Sequence, residues 1–231
     1  MPRPSARLRP ETTGSVAGVN FAAHAAVAAR CSPAVDVRLG AVLPDISAIL
    51  GVRLRRPNEA LDAGIATHYA TDSAFHASGW FTNQMKICST RLQAAGVGRG
   101  PARAAAHVGV ELLLDGAVLA NDDTFRDVWS QLAAPAALVR DAVHDDERDD
   151  WIDRLGQFTT RLDPWRYSEP DYAAARIEGM LRHRPRLRLE TGQASIVAVV
   201  LRSIASGVAA DAEQVVDDIA AVVANGGVRA R

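Results

Sequence analysis

Apolar positions along this chain recur at intervals of three and four, with no persuasive run of strict alternation, so the pattern predicts helices throughout. The expected helices cover about 20–29, 36–50, 58–78, 80–94, 101–119, 125–143, 148–162, 170–183, 193–206 and 211–224. Local chemistry sets several ends. Asn58 is a ready N-cap, the glycines of "GVGRG" break the chain before the fifth helix, and Pro101 suits a first turn because its missing N–H would have no partner there. "NDDT" supplies N-cap residues for the helix after it, and Pro44 is expected to kink or restart the second helix. The chain therefore reads as all-α: a single-domain bundle of many helices, with no internal repeat and no heptad seam.

Two of these helices place ionisable groups in their apolar register. After Asn58 one stripe runs Leu61, Ile65, His68, Asp72, Phe75 and His76; after Pro101 another runs Ala104, His107, Glu111, Leu114, Asp115 and Val118. Both begin apolar, and the second also ends so. Burying charge costs several kcal/mol per ion unless it is paired or coordinated, so each stripe implies a compensating partner. Histidine followed one turn later by a carboxylate is a chelating spacing, and neutral imidazole and carboxylate are ordinary ligands of divalent cations. A metal-free polar network and solvent-exposed helix faces are the alternatives. Asp45, inside the apolar "LGAVLPDISAIL", and His24, in the alanine-walled "NFAAH", belong to the same class of buried polar positions, although an Asp after Pro also serves as a helix N-cap.

Composition adds bounds. A chain of 231 residues with formal net charge −1, 48% hydrophobic and 23% charged, fits a globular domain and gives no global field for nucleic acid or an anionic membrane. Lys86 is the sole lysine. Two distant cysteines, Cys31 and Cys88, form no disulfide framework, which points to a reducing, cytoplasmic setting. No uninterrupted run of eighteen apolar residues argues for a membrane span. Residues 1–18, rich in Arg, Pro, Ser and Gly, read as a disordered leader.

With these residues in view, the chain resembles the acyl carrier protein phosphodiesterase family, helical enzymes similar to the HD-domain metal-dependent phosphohydrolases. The resemblance rests on "NFAAH" (Asn20, Phe21, His24), "LGAVLPD" (Asp45), "GIATHYATD" (Gly64, Ile65, His68, Asp72) and "GMLRHRPRL" (Gly179, Met180, Pro185, Arg186, Leu187). It spans about 19–190 and leaves 191–231 as a helical extension on the same domain. Val19 falls where the family begins. The chain departs from the family at Tyr69-Ala70, where an arginine pair is usual, at Phe75-His76, where Thr-Asp is usual, and at His107, Glu111 and Leu112, where Asp and then Asp-His are usual.

The resemblance implies a metal-dependent phosphodiester hydrolase that uses Mn2+ or Mg2+ and releases 4′-phosphopantetheine from holo-acyl carrier protein. The histidine-rich set also suits Zn2+ or Fe2+. The expected ligands, of one or two metals, are His24, Asp45, His68, Asp72, His107 and Glu111. His76 or Asp115 is expected to orient water or protonate the leaving oxygen. In "RHRPRLRLE", Arg184 and Arg186 are candidates for phosphate binding, or else mark a solvated helix end. A second resemblance, to zinc-dependent phospholipase C and single-strand nucleases, rests on "LPD" and the His-x-x-x-Glu helix. A non-catalytic helical metal- or ligand-binding protein is the reading of another class.

Overall fold

The computed structural model describes residues 20–226, and the leader expected at 1–18 lies outside them. Among the described residues the chain is all-α. The helices are α1 (Phe21–Cys31), α2 (Val35–Leu50), α3 (Glu59–Ala77), α4 (Gly79–Ala94), α5 (Arg99–Asn121), α6 (Thr124–Ala133), α7 (Ala137–Asp141), α8 (Arg148–Arg161), α9 (Pro170–Leu181) and α10 (Gln193–Ala224). Two 3₁₀ turns, at Asp145–Glu147 and Pro164–Ser168, and one isolated bridge between Leu54 and Val143 complete the regular structure there.

Helix α5 runs through the middle of the bundle, packed by α1, α4, α9, α10 and the Pro164–Ser168 turn, and nearly every residue from Ala104 to Leu119 is buried. Large side chains close the core around it, among them Phe21, Leu112, Leu114, Phe125, Trp151 and Tyr167. Each such burial is worth about 1.5–3 kcal/mol. The one polar atom of Trp151 is satisfied within the core, its Nε1 donating to the Val139 carbonyl at 2.8 Å. By length and mean hydropathy both α5 and α10 could cross a membrane, but 83% of the apolar window of α5 is buried inside the bundle.

Asn58 caps α3 as expected, its Oδ1 accepting from the Leu61 N–H at 2.7 Å. Ser78 caps α4 in the same way through Phe81. Three boundaries differ from expectation. Helix α2 continues through Pro44, so Asp45 is an interior helical residue and not an N-cap. The segment expected as one helix over 125–143 divides into α6 and α7 at Ala134-Pro135-Ala136, because proline has no N–H to give and disfavours a helical residue before it. The two helices expected at 193–206 and 211–224 are one. The buried stripe Val197, Leu201, Ile204, Val208, Ala212, Val215 and Ile219 carries α10 straight past Gly207, whose propensity cost of about 1 kcal/mol is small beside that stripe.

The tightest approach is between α2 and α3. A Cβ added to Gly64 would lie 2.7 Å from the Cα of Gly40, and one added to Gly40 would lie 2.9 Å from the Cα of Gly64. Only glycine at both positions lets the helices cross so closely. This crossing fixes where the next turns of the two helices, carrying Asp45 and His68, meet.

Candidate metal centre

Four helices bring seven of the expected residues together. His24 comes from α1, Asp45 from α2, His68, Asp72 and His76 from α3, and His107 and Glu111 from α5. They form two groups, His24/His68/Asp72 and His76/His107/Glu111. Within each, one ligand atom per residue lies within 4.8 Å of the others, and either group could hold a metal ion. The i, i+4 stripes are the reason both groups share α3: Asp72 and His76 lie one turn apart on the same face.

In the inner group His24 Nε2 is 3.4 Å from Asp72 Oδ1, and His68 Nε2 is 3.8 Å from both Asp72 Oδ2 and Asp45 Oδ1. The two imidazoles stack with centroids 4.2 Å apart. Each ring is held from behind by a backbone carbonyl. His24 Nδ1 lies 2.9 Å from the Asn20 oxygen and His68 Nδ1 2.9 Å from the Ala41 oxygen. Those carbonyls can only accept, so Nδ1 carries a proton and Nε2, in the neutral ring, offers its lone pair toward the carboxylates, the usual support for a ligating histidine. In the outer group Glu111 Oε1 lies 3.1 Å from His76 Nε2 and 2.9 Å from His107 Nε2.

Three of these five separations, 2.9, 3.1 and 3.4 Å, match a cation between the atoms, and the two from His68 Nε2, at 3.8 Å, are slightly longer. Two donors each 2.0–2.2 Å from one ion, at octahedral or tetrahedral angles, stand about 2.9–3.6 Å apart. Five buried polar atoms of the cluster make no hydrogen bond of good geometry, His24 Nε2, Asp45 Oδ2, Asp72 Oδ1, His107 Nε2 and Glu111 Oε2, although His24 Nε2 faces Asp72 Oδ1 at 3.4 Å and His107 Nε2 faces Glu111 Oε1 at 2.9 Å. Buried orphans are rare in folded proteins, and five around one centre fit a bound cation better than a protein-only network.

The centre has a closed side and an open side. His24 and Glu111 are fully buried, His68 is 2% exposed and Asp45 6%, whereas the side chains of Asp72, His76 and His107 keep 30%, 34% and 26% of their exposure. Tyr69, 58% exposed, stands beside this opening with its ring edge-on to His68.

Electrostatics follow the geometry. Burial works against a charge on His24, yet its contact with Asp72 and the Asp45 and Asp72 charges raise its pKa to about 9. Burial and the neighbouring His24 push His68 down to about 3. Burial lifts Asp45 to about 7, against the pull of His24. Glu111 and Asp72 stay below the usual carboxylate range because their histidines outweigh burial. Glu111 in turn holds His76 above its ordinary value.

Asp115, expected as a catalytic group, belongs to neither of the two groups and faces the backbone of α1. It is fully buried, and its two oxygens accept from the backbone N–H groups of Ala22 at 3.0 Å and Ala23 at 2.8 Å. A carboxylate on the first turn of α1 satisfies donors that the helix cannot, and it complements the helix dipole. Burial raises its pKa to about 8 while those two bonds oppose the rise. Asp115 thus anchors the helix that carries His24. His76, expected to orient water or protonate the leaving oxygen, faces Glu111 as a third member of the outer group.

Arg186 is exposed, with its backbone carbonyl packed where a Cβ on Gly100 would be 3.1 Å away, in the first turn of α5. His107 stands seven residues further on, about 10 Å along the axis and on the same face. Arg184 is half-buried. Sequence reasoning missed the Asn20 and Ala41 carbonyls, since any residue can supply one and no side-chain pattern marks it. The paired glycines at 40 and 64 were the available signal for the crossing. Comparison with protein-family models, with curated proteins and with solved structures gives no match.

Proposed function

We propose that this chain is a metal-dependent hydrolase of phosphodiester bonds, with holo-acyl carrier protein as the first macromolecular substrate to test. The observation that carries the reading is the convergence of four imidazoles and three carboxylates from four helices, with five buried polar atoms that make no hydrogen bond of good geometry, on a centre open to solvent along one side. The phosphodiester class comes from the resemblance of "NFAAH" and "GIATHYATD" to the acyl carrier protein phosphodiesterases.

In this reading His24, His68 and Asp72, backed by Asp45, hold the cation. Once bound, such an ion polarises a phosphoryl oxygen and lowers the pKa of water near neutrality. The chain's own contribution is placement and exclusion. Asn20 and Ala41 fix the imidazole tautomers, and Asp115 fixes α1. The buried floor bars water from behind, so substrate enters past Asp72, His76 and His107. Arg186, about 10 Å along α5 from His107, lies within reach of an extended phosphate-bearing substrate. Mixed imidazole and carboxylate ligation suits Mn2+, Zn2+ or Fe2+ better than Mg2+, which prefers oxygen and water.

The test is hydrolysis of bis(4-nitrophenyl) phosphate by protein stripped with chelator and reloaded with Mn2+ or Zn2+, alongside intact-mass analysis of holo-acyl carrier protein. Hydrolysis that needs the metal and is lost in Asp72→Ala supports the proposal. Metal retained with no turnover on either substrate overturns it in favour of a binding protein.

A further inference from the structure

Two groups of donors on one helix face need not belong to one ion. We propose that His76, His107 and Glu111 form a second, separately filled cation site beside the inner one, and that it exchanges its ion more readily. The inference rests on the proposed function only for its use, not for its existence.

Three observations carry it. His76 Nε2 and His107 Nε2 converge on the same Glu111 oxygen, at 3.1 and 2.9 Å, and the rings stand 5.0 Å apart. Glu111 is wholly buried, and its second oxygen, Oε2, has no hydrogen-bond partner, a position that nothing short of a cation or water satisfies. The set is also separate from the inner one: each group is complete without a residue from the other. Two imidazoles and one carboxylate with open positions form the usual donor set of a Zn2+-type ion that keeps room for water or substrate. Phe81 and Phe75 pack around His76, and Phe81 also meets His107, which limits how far the rings can turn from this arrangement.

The two sites differ in access. The inner imidazoles are buried, while the outer ones keep about a quarter to a third of their exposure. The outer ion therefore has one fewer carboxylate against it and a direct path to solvent, so it is the weaker and faster-exchanging of the two. At the open side it sits where a leaving oxygen can be stabilised by a second ion, the arrangement of two-metal phosphoryl chemistry.

The experiment is a titration of chelator-stripped full-length protein with Co2+, followed by visible absorption and by metal content after gel filtration. The expected result is saturation at two Co2+ per chain in two phases, with His107→Ala and His107→Gln each retaining one, the tighter. Saturation at one ion that neither variant changes overturns the second site, as does a stoichiometry of two that survives both substitutions. If a variant fails to fold, the wild-type stoichiometry decides. These readouts involve no turnover. Two ions without hydrolysis leave the site standing and sink the proposed activity, whereas one ion with hydrolysis does the reverse.

Discussion

His68 donates its Nδ1 proton to the carbonyl of Ala41, 2.9 Å away, and so turns Nε2 toward Asp45 and Asp72. That bond exists because α2 and α3 cross on Gly40 and Gly64, one turn before the residues that use it. The metal centre is thus set by a backbone approach as much as by its ligands.

Gly64→Ala tests this dependence. In a helix the substitution alone would gain about 1 kcal/mol. Here the added methyl meets the Val37 carbonyl and the Gly40 Cα, so overpacking of about 1–3 kcal/mol dominates. Lower thermal stability is expected, with metal affinity reduced about 10- to 100-fold as His68 loses its support. Calorimetry and metal titration check both. A stabilised variant with unchanged affinity would contradict the crossing.

Asp115→Asn separates an anchor from a catalyst. The amide keeps one acceptor and sets an N–H against an N–H of α1, a loss of about 1–3 kcal/mol. Denaturant unfolding is expected to show that loss, while the pH profile of any activity keeps its shape. A changed profile at unchanged stability would restore Asp115 to the chemistry.

Proton competition gives a pH signature. Metal binding requires neutral His24, whose pKa in the metal-free protein is raised to about 9. Near pH 8 one proton leaves for each ion bound, and affinity is expected to rise about tenfold per pH unit. Below about pH 7 the Asp45 proton leaves too and the slope steepens. The metal-free protein behaves oppositely. A raised folded pKa stabilises below the unfolded value and loses that contribution as pH climbs through the folded one. His24, with His76 and Asp115 acting in the same direction, makes metal-free stability fall from about pH 7 to 9. His68, neutral throughout that window, does not oppose it. Isothermal titration in several buffers and melts across pH read both slopes, and pH-independent affinity would contradict the assignment.

Chelation should be felt by the whole fold, since the centre ties α1, α2, α3 and α5. At a metal concentration of a hundred times Kd the bound ion adds about 2.7 kcal/mol. For a chain of this size that is about 5–10 °C in Tm. Removing metal with EDTA is expected to lower Tm by that amount in the wild type and by little in His68→Ala. An equal shift in both would place the ion elsewhere.

Much of this was legible from periodicity. The spacing from Leu61 to His76 and from Ala104 to Asp115 marks the candidate groups of α3 and α5 that the fold brings together, and Asn58 marks the start of α3. Pro135 divides α6 from α7 where apolar continuity alone reads one helix, and Gly207 does not divide α10 because the buried stripe continues past it. Periodicity says which residues share a face but not what the opposing element presents there. Asp115 meets the start of α1 more than ninety residues earlier in the chain, and His76 meets Glu111 thirty-five residues on. Neither contact is marked by the spacing on its own helix.

The most direct measurement is an anomalous difference map from crystals grown with Zn2+ or Mn2+, collected on both sides of the metal edge. A peak bonded to His24 Nε2, His68 Nε2 and Asp72 is the expected result. A well-ordered centre with no peak there, at saturating metal, would contradict the account.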